Sequence, residues 1–255
     1  MGNSSSKQTS SADVEPQVQE QEDDYKSAAA VGVLMGGLDA CDMMVYVFMP
    51  KFYVARDVSL SQVGLLWALL AVGMLVGIPA VPWVMRRIGG PSRGCFFGVA
   101  AFAAVRASCA ILPFLGNGVS LFVPTAALFL VTGLTYALAE IGGMAFVLSS
   151  APPGKKVAAF GVLVGSRSVG SLIGPPLGGG LFNTCGFSLT MLISALLLLG
   201  PLMAVSGELL VPSVMDAAGP ERSLLRDPAS AVVITIAASG MGVSGPAPSV
   251  ARALS

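Results

Sequence analysis

The sequence predicts an all-α membrane protein with six spanning helices, and three observations carry that expectation. Hydrophobic residues make up 54% of the chain and charged residues only 11%, against roughly 25% charged residues in soluble domains. The mean hydropathy is +0.79. Six apolar segments long enough to cross a bilayer follow one another, separated by short polar turns. The fifth of them, residues 161–181 (GVLVGSRSVGSLIGPPLGGGL), is rich in glycine and interrupted by Pro175 and Pro176.

The composition also excludes functions. There is no histidine, so histidine-based catalysis, metal binding and pH sensing are ruled out. Cys41, Cys95, Cys109 and Cys185 fall in or beside apolar segments without CxxC spacing, which argues against a metal site or a disulfide framework. No cofactor is expected. Net charge is zero, and nothing points to nucleic acid. With no recognisable nucleophile motif, the chain is not expected to be an enzyme.

Residues 1–26 are polar and carry Asp13, Glu15, Glu20, Glu22, Asp23 and Asp24. Such a stretch cannot bury a core and reads as a disordered acidic cytosolic tail. It lacks a basic start followed by an apolar run, so it is not a cleavable signal peptide. Met1-Gly2 with Ser6 fits the N-myristoylation pattern at Gly2; a chance match in a serine-rich tail reads equally well.

The six-helix bundle is expected over residues 27–207. The first segment, 28–50, carries Asp39 and Asp42, three apart and so on one face, with Tyr46 one turn beyond Asp42. Two carboxylates in a spanning helix suggest a functional site. They could bind a cationic solute or carry a proton, since close like charges in a low dielectric do not both ionise freely. The alternative is that one of them pairs with Arg106 or Arg167 and only stabilises the bundle.

The second segment, 63–84, ends near Pro79 and Pro82, where a kink is expected. A basic turn with Arg86, Arg87 and Arg93 follows. Arg106 lies in the third segment (94–115) and Glu140 in the fourth (121–148). Lys155 and Lys156 precede the fifth, and the sixth spans 187–205. In the fifth, Gly170, Gly174 and Gly178 recur every fourth residue and form one stripe. Such a stripe lets another backbone approach closely, as membrane helices do when small residues line the contact. Arg167, two turns before Gly174, shares that face and should point into protein or water rather than lipid.

The turns after the second and fourth segments carry three and two Lys or Arg, whereas those at 116–120 and 183–186 carry none. The positive-inside rule then places the N-terminus and the even-numbered turns in the cytosol. Vesicular and plasma membranes both fit. Residues 208–228 read as a central cytosolic linker, and 229–255 as the start of a truncated second half, with an apolar run that would open a seventh helix.

The stripe has a familiar spacing. Gly161, Gly170, Gly174-Pro175 and Gly178-Gly179 reproduce the fifth-helix antiporter motif of the major facilitator superfamily, and all six fixed positions match. Leu38-Asp39 through Met49-Pro50 resembles the first helix of the family's drug:proton antiporter branch, in particular the vesicular amine transporters. Met85-Arg86-Arg87-Ile88-Gly89-Gly90 resembles the loop between helices two and three, although Arg86 stands where the family places an acid and Pro82 where it has a glycine. Leu224-Leu225-Arg226-Asp227-Pro228 is similar to the entry to helix seven. Segment four lacks the family's arginine at 128–132, and Glu140 supplies a charge further along.

The resemblance covers about residues 30–250 and only the N-terminal half of the family's fold. It implies proton-coupled antiport of a small organic, possibly cationic or amine, solute. Asp39 would be the cation or proton site and Asp42 its coupled neighbour. Glu140 and Arg167 would form an ion pair facing the cavity, with Arg106 a third participant. Pro175 and the glycine stripe would supply a bend and a sliding contact. The expected partners are the lipid bilayer, the solute, protons, and a second half or a second copy of the chain. The alternative is a truncated half-transporter acting as a non-transporting membrane subunit or an inactive fragment.

Overall fold

A computed structural model of the chain describes residues 15–151 and 153–210. Gly2, the linker beyond residue 210 and the expected start of a second half lie outside the described residues. Those described are built from five α-helices: α1 (Glu15–Val54), α2 (Leu60–Ile88), α3 (Pro91–Cys109), α4 (Val119–Ser150) and α5 (Lys156–Leu210), with short 3₁₀ turns at Leu112–Phe114 and Pro153–Lys155. Each α-helix contains a stretch long and apolar enough to cross a membrane. All-helical structure is what lipid demands, because a helix satisfies its backbone polar groups internally.

Helix boundaries follow local chemistry. Ser59 caps α2: its hydroxyl accepts from the Gln62 N–H, and the Gln62 side chain accepts from the Ser59 N–H at 2.9 Å. Gly89 ends α2 in the left-handed region (φ 96°), where a side chain would be strained. Its N–H and that of Gly90 both return to the Met85 carbonyl. Pro91 then opens α3 at a position where a missing N–H costs nothing. At Pro79 and Pro82, α2 stays helical and runs on to Ile88. Within α4, the Thr125 and Thr132 hydroxyls donate to the carbonyls four residues back, both at 2.7 Å, so neither is left unsatisfied in an apolar helix.

Two differences from the expected segments stand out. The first is at the N-terminus: α1 begins at Glu15, and residues 15–26 continue the first span as helix. Apart from Pro16 at its start, this stretch is made of Glu, Gln, Lys, Asp and similar residues, several of them strong helix formers, and contains no stop signal. The second is the helix count, which is five rather than six. The expected turn at 183–186 is helical up to Cys185, and only Gly186 leaves helical geometry (φ 74°, ψ −179°). The fifth and sixth segments are therefore two arms of one element.

The side-chain and backbone contacts on either side of Gly186 run in opposite directions along α1. Before it, Ser166, Gly174, Gly178 and Phe182 meet Gly36, Ala40, Met44 and Phe48 in ascending order. After it, Phe187 stacks on Phe52 with ring centroids 3.8 Å apart, and the Ser194 carbonyl accepts from the Cys41 thiol at 3.4 Å. The chain thus passes along α1 twice. A straight helix of 55 residues would be about 83 Å long at 1.5 Å per residue, far beyond a hydrocarbon core of roughly 30 Å. A reversal at Gly186 resolves that mismatch.

Glycines set the closest helix crossings. A Cβ at Gly170 or Gly178 would strike the carbonyl oxygen of Gly36 or Met44 on α1. The α2–α4 crossing is built the same way, by Gly73 against Leu130 and Gly133 against Leu70. Gly98 and Gly142 bring α3 and α4 together. These seams exploit backbone packing that needs no hydrophobic drive.

Candidate functional site

The apolar bundle buries five ionisable side chains: Asp39 and Asp42 on α1, Arg106 on α3, Glu140 on α4 and, slightly more open, Arg167 on α5. The glycine seam between α1 and α5 places Arg167 opposite Asp39. Gly170, one turn along from Arg167, sits against Gly36, so the two backbones are close enough for the guanidinium to cross directly.

Arg167 uses all three of its nitrogens. Nε donates to Asp39 Oδ2 at 2.8 Å, Nη1 to Glu140 Oε1 at 2.7 Å, and Nη2 to the Tyr136 hydroxyl at 3.2 Å. Tyr136, one turn before Glu140 on α4, in turn donates to Asp39 Oδ1. One guanidinium therefore ties α5 to both α1 and α4, and its planar fork suits that task better than a lysine would. Asp42 belongs to a separate pair: Arg106 Nη2 donates to Asp42 Oδ1. The Arg106 guanidinium also lies over the Phe102 ring, 4.7 Å from its centroid.

The sequence-derived candidates fall into three groups. Asp39, Glu140 and Arg167 come together in one network. Asp42 and Arg106 form a second pair, so Asp39 and Asp42 have different partners on different helices instead of sharing one. Tyr46 is hydrogen-bonded to neither group among the described residues: its ring stacks on Trp67 of α2 at 4.1 Å, near the Asp42–Arg106 pair. Tyr136 is the member that residue-by-residue reading overlooks. Its spacing of four from Glu140 is the signal that could have found it.

The motif glycines divide as well. Gly170, Gly174 and Gly178 are buried against α1, whereas nothing lies within 4 Å of a Cβ at Gly161, and one at Gly179 meets only Val47 Cγ1 at 3.9 Å. Pro175 is half-buried inside α5. Arg86 and Arg87, expected in the turn after the second segment, lie instead in the last turn of α2; both are exposed, and Arg87 lies over the Trp83 ring at 5.0 Å.

Electrostatically, three buried carboxylates face two guanidinium groups. Among the described residues the buried groups comprise one more carboxyl than guanidinium. A buried charge without compensation is costly. Among the described residues no group of His, Cys, Asp and Glu could hold a metal ion.

The family profile of the Major Facilitator Superfamily matches residues 32–254. The chain belongs to the major facilitator superfamily. No curated protein matches it. As a member of this superfamily, with several membrane-length apolar helices, the chain is an integral multi-pass membrane protein and a membrane transporter of the major facilitator type. The buried network described above lies inside the superfamily match and joins three of the facilitator's helices.

Proposed function

We propose that this facilitator carries out proton-coupled antiport of a small organic cation, as in the drug:proton antiporter branch, with its N-terminus and even-numbered turns on the cytosolic side. The observation that carries the reading is the excess of one carboxyl over guanidinium groups in the buried Asp39–Tyr136–Glu140–Arg167 and Asp42–Arg106 groups. A cluster with one negative charge in excess can hold a proton or a monovalent cation, but holding both leaves a net positive charge in low dielectric. Mutual exclusion of the two is the thermodynamic requirement for exchange. Release of the proton favours entry of the cation, and entry of the cation favours release of the proton.

Arg167 supplies the mechanical side. It links α5 to α1 and α4, so a change in the charge of either carboxylate alters the forces between those helices. The glycine seam beneath it offers a contact along which α1 and α5 can slide without side chains interlocking. Asp42 and Arg106 are a second ion pair that holds α3 to α1 and shapes the field at Asp39.

The test is uptake of labelled quaternary ammonium cations into vesicles with an acidic interior. The native chain is expected to accumulate at least one such cation in proportion to the pH gradient. Asp39→Asn, which leaves Arg167 and Glu140 as a neutral pair, is expected to reduce that uptake at least tenfold. Equal uptake by both proteins would remove Asp39 and its network from the mechanism.

A further inference from the structure

Two carboxylates compete for Arg167, and their hydrogen bonding is unequal. Asp39 has both oxygens occupied: Oδ1 accepts from the Tyr136 hydroxyl and Oδ2 from Arg167 Nε. Glu140 has one: Oε1 accepts from Arg167 Nη1, and Oε2 accepts no hydrogen bond among the described residues. Hydrogen bonds to the ionised form of a carboxyl stabilise its charge. The carboxyl with fewer of them is the better place for a proton.

We infer that Glu140, not Asp39, is the carboxyl that takes up and releases the proton, while Asp39, Tyr136 and Arg167 form a standing ion pair. Tyr136 is the positioning residue that sets this order. It lies one turn from Glu140 on the same helix, yet its only hydroxyl proton goes to Asp39. Its remaining hydroxyl capacity accepts from Arg167 Nη2, which draws the guanidinium further towards Asp39.

Among the described residues, no group besides Arg167 is shown to offer Glu140 a counter-charge. On α1, Asp42 is taken by Arg106 of α3, and the Cys41 thiol donates to the Ser194 carbonyl. On α3, Cys95 is a neutral thiol packed beside Gly142 and Gly143. On α5, Arg167 is already divided among three acceptors. Protonation of Glu140 places a hydrogen on Oε2 and leaves Asp39 and Arg167 matched one to one. Deprotonation releases one proton and restores the single negative charge.

The role of this proton in transport rests on the antiport reading above, but the test needs no transport. Infrared difference spectra of the full chain in lipid, taken between acidic and alkaline conditions, report the C=O stretch of a protonated buried carboxyl. The band is expected in the native chain and absent from both Glu140→Gln and Asp39→Asn, since either variant leaves a single carboxylate matched to Arg167. Tyr136→Phe, which takes one hydrogen bond from Asp39, is expected to divide the band between two carboxyls. Persistence of the native band in Glu140→Gln would overturn the assignment. If a variant does not fold, isotope labelling of the native chain decides the same point. Carbon-13 glutamate must shift the band, and a shift with labelled aspartate instead would contradict the inference.

Discussion

Replacement of Arg167 by methionine is expected to destabilise the folded chain by about 3–5 kcal/mol, the cost of removing one partner from a buried ion pair. The loss is larger than for an ordinary surface ion pair because two carboxylates depend on this one side chain. Asp39 and Glu140 would lose their shared cation, leaving the Tyr136 hydroxyl as the remaining donor to Asp39 among the described residues. Methionine keeps most of the aliphatic volume, so the effect isolates the charge. A triple variant, Arg167→Met with Asp39→Asn and Glu140→Gln, removes all three charges together. It is expected to recover most of the stability, since replacing a whole buried charge set by neutral groups is often close to neutral. Thermal or denaturant unfolding in detergent reads both effects. A single variant as stable as the native chain would mean that the carboxylates are not held by Arg167.

Gly170→Val is the second large effect. A Cβ at this position would overlap the Gly36 carbonyl oxygen. A backbone oxygen cannot turn aside as a side chain can, so α1 and α5 must separate. Overpacking of a core costs about 1–3 kcal/mol, and a clash against backbone belongs at or above the top of that range. Separation also lengthens the Arg167 contacts to Asp39, so packing and electrostatics are lost together and the two losses are not additive. Gly161→Ala is the internal control: it belongs to the same sequence motif but has nothing within 4 Å of its Cβ position. It should leave stability unchanged or raise it by up to about 1 kcal/mol through helix propensity. Equal destabilisation by both substitutions would show that the motif acts through something other than the α1–α5 seam.

Much of this arrangement was legible in the residues, for a physical reason. An ionised side chain in an apolar segment is expensive, so Asp39, Asp42, Arg106, Glu140 and Arg167 identify themselves without a structure. The fourfold spacing of Gly170, Gly174 and Gly178 likewise announces a close helix contact. What the sequence leaves open is partnership. Asp39 and Asp42 are about 60° apart around a helix of 3.6 residues per turn. That is near enough to read as one face, yet far enough for one to reach α4 and α5 and the other α3. Only the tertiary arrangement decides it. Tyr136 stayed hidden because a tyrosine in an apolar helix carries no charge penalty to mark it. Tyr46, one turn from Asp42, stacks its ring on Trp67, a partner that the spacing does not announce. The helix count differed because the reversal between the last two arms needs only Gly186, where the composition suggested a four-residue turn.

The exchange of a proton for a cation is best measured with the purified chain in vesicles that contain a trapped pH-sensitive dye and start with an acidic interior. Quaternary ammonium cations are the probe, because they cannot cross lipid as neutral bases. Adding them outside should alkalinise the interior of vesicles that hold the native chain, and the response should vanish in vesicles that hold Glu140→Gln. An interior that stays acidic with the native chain while the labelled cation accumulates would contradict proton exchange at this site.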